Sequence, residues 1–216
     1  MKNKFLFFTL LLISTVANAK DAIRSIASIK QNLRIGHAKE LLGKRYRKSV
    51  VSHFENQEGL EKNLLEIVTK SLPKNYKNKA SVVSNTIIKE AGQYKLDPYF
   101  LMAVISGESS FNPEAKGPVG EIGLMQLRPS TGEWIAKMID AKWDGEKTLK
   151  DPVANIKLGA AYINWLRNKT DNKSQLYLAA YNMGLKSVKK AVEKNIYPKD
   201  YPIHVMKRYL AFYKSI

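Results

Sequence analysis

Glu108 follows the apolar run Tyr99–Ser106 (Y-F-L-M-A-V-I-S) and precedes a loop that turns at Pro113. The run reads as a core helix, since Asp97-Pro98 supplies a capping side chain and then a proline at the first helical position, where a missing N–H costs nothing. A carboxyl at the C-terminal end of such a helix meets two effects that raise its pKa: burial, and the negative end of the helix dipole. A carboxylic acid kept protonated near neutral pH can give its proton to a leaving oxygen. Ser109 adds a hydroxyl beside it, Gln126 and Asn182 add amides, and Met125 and Tyr181 add wall material. Those residue types suit a groove for sugar rings and N-acetyl groups. Taken singly, each has a structural reading too: Met125 as core, Tyr181 as a half-buried helix residue, Asn182 as a helix end, Glu108 as a solvated loop residue.

The elements that must position these residues read as helices. Leu60, Leu64, Leu65 and Val68 form one amphipathic face ending before Pro73. Ser81 is placed as the cap of a helix carrying Val82, Val83, Ile87, Ile88 and Ala91. Pro129 opens a helix with Trp134, Ile135 and Met138 on one side, and Asp151-Pro152 opens another through Leu166. Ser174 is placed as a cap for L-Y-L-A-A-Y-N-M, which Gly184 closes. Ser187 starts a short basic helix, and Pro202 a last one with the stripe Val205, Tyr209, Phe212. No alternating pattern of useful length predicts strands; a small β excursion is allowed between Pro113 and Gly123.

The ends and the composition narrow the setting. Residues 1–19 show a basic start, a short apolar run and a small-residue site at Ala17-x-Ala19, which predicts export with cleavage after Ala19 and no membrane anchor afterwards. The periplasm is the expected location. No cysteine is present, which removes disulfides, thiolate nucleophiles and lipoprotein attachment. Net charge is +17; without Lys2 and Lys4 it is +15, and in an exported chain that charge faces an envelope polymer rather than nucleic acid. The same charge predicts salt-sensitive binding to that polymer. Residues 20–80 read as a basic helical segment, with Ile23, Ile26, Ile29 and Leu33 at helical spacing. Such a segment can dock on the remainder, 81–216, or reach an envelope protein partner.

Four motifs in order carry a resemblance: E-S-S-F-N-P (108–113), G-P-V-G-E-I-G-L-M-Q-L (117–127), N-I-x-x-G-A-x-Y (155–162) and A-Y-N-M-G (180–184). Over 81–216 the chain resembles the soluble lytic transglycosylase (SLT) domain, a mainly α, lysozyme-like fold related to goose-type lysozyme. The resemblance implies that Glu108 is a single catalytic acid/base. It implies that Gln126 lies near substrate, that Met125 lines the groove, that Ser109 holds the local turn, and that Tyr181, with Asn182, brings its hydroxyl near the carboxyl or the reacting sugar. The implied substrate is the glycan strand of peptidoglycan, cut between N-acetylmuramic acid and N-acetylglucosamine with a 1,6-anhydro product. No metal or cofactor is implied.

Three departures stand out. Gly117 replaces a serine of many relatives, Arg128 replaces an apolar residue, and Ile196–Val205 lacks a glutamate, with Tyr197 in its place and Tyr201 and Val205 in line with the motif. A hydrolytic muramidase, and a wall-binding or secretion-assembly protein without catalysis, are the alternative readings.

Overall fold

The computed structural model describes residues 31–55 and 59–216. The export signal, and Ile23, Ile26 and Ile29, lie outside the described residues. Ten helices follow in order: α1 (31–42), α2 (Leu60–Ser71), α3 (Ala80–Gln93), α4 (Pro98–Ser109), α5 (Pro129–Met138), α6 (Gly145–Lys150), α7 (Pro152–Lys169), α8 (Ser174–Met183), α9 (Leu185–Glu193) and α10 (Asp200–Lys214). Short 3-10 turns, Gly43–Lys48, Val50–Phe54 and Lys74–Lys79, link the first three. Among the described residues the β content is two isolated antiparallel bridges, Lys116 with Ile122 and Ile122 with Leu127. The mainly α, lysozyme-like class read from the sequence is the class observed.

Helix α4 runs through the middle. Every residue from Tyr99 to Ile105 is fully buried, as expected for a helix apolar on all sides. Its N-terminus is fixed by Asp97, whose Oδ1 accepts the Tyr99 N–H at 2.9 Å. The other oxygen, Oδ2, accepts the Tyr209 and Tyr213 hydroxyls at 2.7 and 2.8 Å. Both tyrosines lie on α10, which packs along α4. Burial pushes the Asp97 carboxyl up, opposed by the tyrosines, Arg34 and the Tyr99 amide.

The described residues before Ala80 belong to the same core. Ala38, Leu41, Tyr46, Leu60, Leu64 and Val68 are buried with the residues of α4 and α10. Arg34 donates to the Tyr213 hydroxyl at 2.9 Å, and the Asp97 N–H donates to His37 Nδ1 at 3.0 Å. Arg167 of α7 forms a pair with Glu40 at 2.9 and 3.0 Å from Nε. The basic run Lys44, Arg45, Arg47 and Lys48 is exposed beside the buried Tyr46.

Several helix boundaries and faces differ from the sequence reading, for identifiable reasons. Neither helix has a side-chain cap: Ser81 lies inside α3, after a backbone already turning at Lys79, and Ser174 is the first residue of α8, with the extended Lys173 in the cap position. Leu185, not Ser187, begins α9, and α10 begins at Asp200, placing Pro202 within the first turn. Leu65 is exposed, since it lies a residue beyond the Leu60–Leu64–Val68 face. On α5, Ile135 is buried while Trp134 and Met138 are exposed, so the three do not share a face. On α10 the buried stripe is Val205, Tyr209, Tyr213, with Phe212 beside it. Helix α6 has no counterpart in the sequence reading; at six residues it is too short to show a period.

Candidate active site

Glu108 sits in the last turn of α4. The helix stops because Ser110 and Phe111 adopt left-handed backbone (φ 51 and 62), a conformation that costs a bulky residue roughly 1–3 kcal/mol. Phe111 holds it by burial, with 2% of its surface exposed. The Ser109 hydroxyl donates to the Leu124 carbonyl at 2.8 Å, joining the helix end to the loop that follows.

That loop is a pair of small turns fastened to α7. Ile122 and Leu127 exchange both backbone bonds, at 3.0 and 3.1 Å, and enclose Gly123–Gln126. Asn155 of α7 is fully buried and uses its whole amide on this turn and its neighbour. Its Nδ2 donates to Ile122 and Leu149 carbonyls, both at 2.9 Å, and its Oδ1 accepts the Met125 N–H at 2.7 Å. One turn along α7, Gly159 gives Met125 its place: a Cβ there would lie 2.3 Å from the Met125 sulfur. The asparagine and glycine of N-I-x-x-G-A-x-Y thus hold the loop, and the tyrosine, Tyr162, faces the cleft.

The cleft has a volume of about 480 Å³ and is lined by Glu108, Gly117, Glu121, Gln126, Arg128, Thr131, Tyr162, Tyr181, Asn182 and Met183, among others. Of the residues singled out in the sequence, Glu108, Gln126, Tyr181 and Asn182 therefore meet here. Met125 does not: it is fully buried beneath the loop, and the thioether at the cleft belongs to Met183. Ser109 works at the helix end rather than in the lining.

Two side chains of the cleft are also tied into the loop. The Tyr181 hydroxyl donates to the Met125 carbonyl at 2.7 Å rather than to Glu108. The Glu108 carboxylate instead accepts from the Tyr201 hydroxyl, on α10, and the Tyr201 ring stacks on Tyr181 at 6.5 Å and 17°. The Gln126 Nε2 donates to the Ala115 and Gly123 carbonyls at 3.0 and 2.8 Å, so its nitrogen is committed to the loop. The contact of Tyr201 with Glu108 has no place in the sequence reading. The only signal for it was its agreement with the final motif, in a segment that otherwise departs from that motif.

The two carboxylates of the cleft have opposite environments. Burial raises the Glu108 pKa, as does the charge of Glu121; the Tyr201 hydroxyl and Arg208 oppose them. Glu121 is held below the usual carboxylate range despite its own desolvation: Arg128 Nε donates to its Oε1 at 3.1 Å, and the Val119 N–H to its Oε2 at 3.2 Å. Glu121 occupies the space that a side chain at 117 would take, since a Cβ on Gly117 would stand 2.4 Å from its Oε2. Two of the departures from the family pattern, Gly117 and Arg128, are therefore one local arrangement around Glu121. Among the described residues no group of three or more His, Asp or Glu is placed to hold a metal ion.

This fold and cleft define a lysozyme-like domain, and similarity to known proteins places it more closely. The transglycosylase SLT domain family matches residues 85–203, more than half of the chain, and the chain belongs to that family. It is 36% identical over 86 residues to the soluble lytic murein transglycosylase of Escherichia coli K12, covering 39% of this chain and 13% of that protein. It is 39% identical over 84 residues to the endo-type membrane-bound lytic murein transglycosylase A of Klebsiella pneumoniae, covering 37% and 40%. The chain thus matches less than half the length of either relative. Among solved structures, an inactive mutant of the lytic transglycosylase Slt of Pseudomonas aeruginosa superposes with a TM-score of 0.54 at 26% identity, covering 61% of this chain and 24% of that one.

Proposed function

We propose that this protein is a peptidoglycan lytic transglycosylase that cuts the β-1,4 bond between N-acetylmuramic acid and N-acetylglucosamine. The observation that carries the reading is Glu108: a carboxyl at a helix end, in a sugar-sized cleft, biased toward its protonated form and steadied by a tyrosine hydroxyl. Its proton passes to the glycosidic oxygen as the C1–O bond breaks, and the N-acetylglucosamine side leaves with a new hydroxyl. The Glu108 carboxylate then takes the proton of the C6 hydroxyl of the same muramoyl residue. That oxygen closes on C1, giving the 1,6-anhydro ring and restoring the acid with no water consumed. Asn182 and the carbonyl end of Gln126 are the polar groups for the N-acetyl and hydroxyl substituents, and Tyr162, Tyr181 and Met183 form the walls. Export to the periplasm, expected from residues 1–19, brings the enzyme to this substrate.

A second reading has one observation in its favour. A cleft whose two carboxyls are pushed apart, Glu108 up and Glu121 down, is the arrangement that also serves hydrolysis. Against it, both Glu121 oxygens are engaged, by Arg128 and the Val119 amide. Mass spectrometry of digested peptidoglycan separates the two: anhydro ends are expected, reducing ends support hydrolysis. Glu108→Gln is expected to lose activity by about 10²–10⁴-fold or more, and undiminished cleavage by it would remove the catalytic assignment.

A further inference from the structure

The cleft does not end at its lining. Thr131 of α5 lines it, and Trp134 and Met138 follow at i+3 and i+7, on the same helix face leading away. Trp134 is 41% exposed and Met138 44%. On α7, Tyr162 lines the cleft and Trp165 follows at i+3. The rings join: Tyr181 meets Tyr162 at 5.4 Å, Tyr162 meets Trp165 at 6.2 Å, and Trp134 meets Tyr162 and Trp165 edge-on at 6.3 and 4.8 Å. Trp134 is thus a large ring propped from behind by two others, with open surface toward solvent. Lys169 stands over Trp165 at 5.8 Å, so among the described residues Trp134 is the ring of this cluster that turns an open surface to a ligand.

Resting on the reading of the cleft given above, we propose that Trp134, backed by Tyr162 and Trp165, is a distal sugar subsite that stacks on a ring of the glycan strand beyond the residues being cut. A pyranose has an apolar C–H face that suits an aromatic surface, and a pre-positioned indole loses little rotamer freedom on binding. The size of the patch fits this occupant. One indole and one methionine offer far less than the roughly 1,000 Å² that a stable protein interface needs, and continuity with the cleft makes a strand already seated there the ligand at hand. A distal contact of this kind increases affinity for long strands more than for short ones.

The test uses the full chain carrying Glu108→Gln, so that strands are bound and not cut, and N-acetylglucosamine oligomers of short and long length as probes, measured by calorimetry. Adding Trp134→Ala is expected to weaken the long oligomer roughly tenfold and the trisaccharide much less, while Trp134→Phe keeps most of the long-oligomer affinity. Since Trp134 packs edge-on against Tyr162 and Trp165, Trp134→Phe, which keeps a ring in place, and the melting temperature of each variant separate lost stacking on the sugar from a disturbed fold. Equal loss at both lengths, or no loss at either, overturns the subsite while leaving the cleft's function standing. No binding of any oligomer before Trp134 is changed overturns the subsite, and the function of the cleft is then judged by the peptidoglycan digest alone. Loss of self-association with oligomer affinity unchanged assigns the face to a second copy and overturns the proposal.

Discussion

Glu108 is set by burial and by three neighbours, Tyr201, Glu121 and Arg208, that act in opposite senses, and each neighbour can be removed separately. Glu121 disfavours its charged form by repulsion; the Tyr201 hydroxyl favours that form by donating to it. Glu121→Gln is therefore expected to lower the Glu108 pKa and move the alkaline limb of the pH–rate profile to lower pH, since the protonated acid is lost earlier. Tyr201→Phe is expected to raise the pKa and move the limb to higher pH, with a lower maximum from a less well-held carboxyl. Carboxyl ¹³C titration of the two variants checks the signs without relying on turnover. At this scale the sequence was informative about Glu108, whose helix and cap are local, and silent about what meets it. Tyr201 lies 93 residues away. Met125 and Met183 sit in equally plausible motifs, and only the packing of Met125 against Gly159 decides which one reaches the cleft.

Among the elements, the turn at Gly123–Gln126 depends on one side chain more than on its own sequence. Asn155 satisfies three buried backbone groups, and Asn155→Ala would leave the Met125 N–H and the Ile122 and Leu149 carbonyls without that partner. A loss of roughly 2–5 kcal/mol is expected, at about 1–3 kcal/mol for each stranded group with partial relaxation. Urea unfolding measures it, and a loss below about 1 kcal/mol would mean the loop is held by other contacts. Element boundaries were legible where a side chain caps its own helix, as Asp97 and Asp151 do through bonds to Tyr99 and Ala154 amides. They were not legible at Ser81 and Ser174, because a serine caps a helix only from the extended residue just outside it, and both serines already lie within their helices. The faces of α5 failed for another reason: Trp134 is apolar yet turned outward, so its hydrophobicity said nothing about burial.

For the molecule as a whole, the described residues before Ala80 are bound into the core through ionisable groups. His37 is fully buried, its Nδ1 accepts the Asp97 N–H, and its Nε2 faces the Tyr177 hydroxyl at 3.2 Å. Burial, aided by the nearby Arg167 charge, holds its pKa well below the ordinary histidine value. The unfolded chain takes up a proton on His37 as pH falls through about 6.5, and the folded chain does not. Stability is thus present above that value and lost below it, by up to about 1.4 kcal/mol per pH unit. His37→Asn, which keeps an acceptor for Asp97, is expected to flatten the fall in melting temperature between pH 7 and 5. An unchanged slope would place the acid sensitivity elsewhere. The sequence reading left docking and outward reach both open for residues 20–80, since none of these pairings has a local signature. The contacts of 31–55 and 60–72 are with the core.

The clamp between α4 and α10 carries a consequence for how this chain can vary. Asp97 and Glu108 are eleven residues apart on α4, about 16 Å along the axis. Tyr213 and Tyr209 hold the first and Tyr201 the second, so α10 runs antiparallel to α4 with its tyrosines spaced eight and twelve residues apart, about 12 and 18 Å. The two helices are matched rulers. Many single substitutions on the outer side of α10 leave the match untouched, but one residue inserted or deleted between Tyr201 and Tyr209 turns one end by about 100° relative to the other. Either the acid or the cap of its helix would then lose its partner. In this part of the chain, length is under tighter constraint than composition.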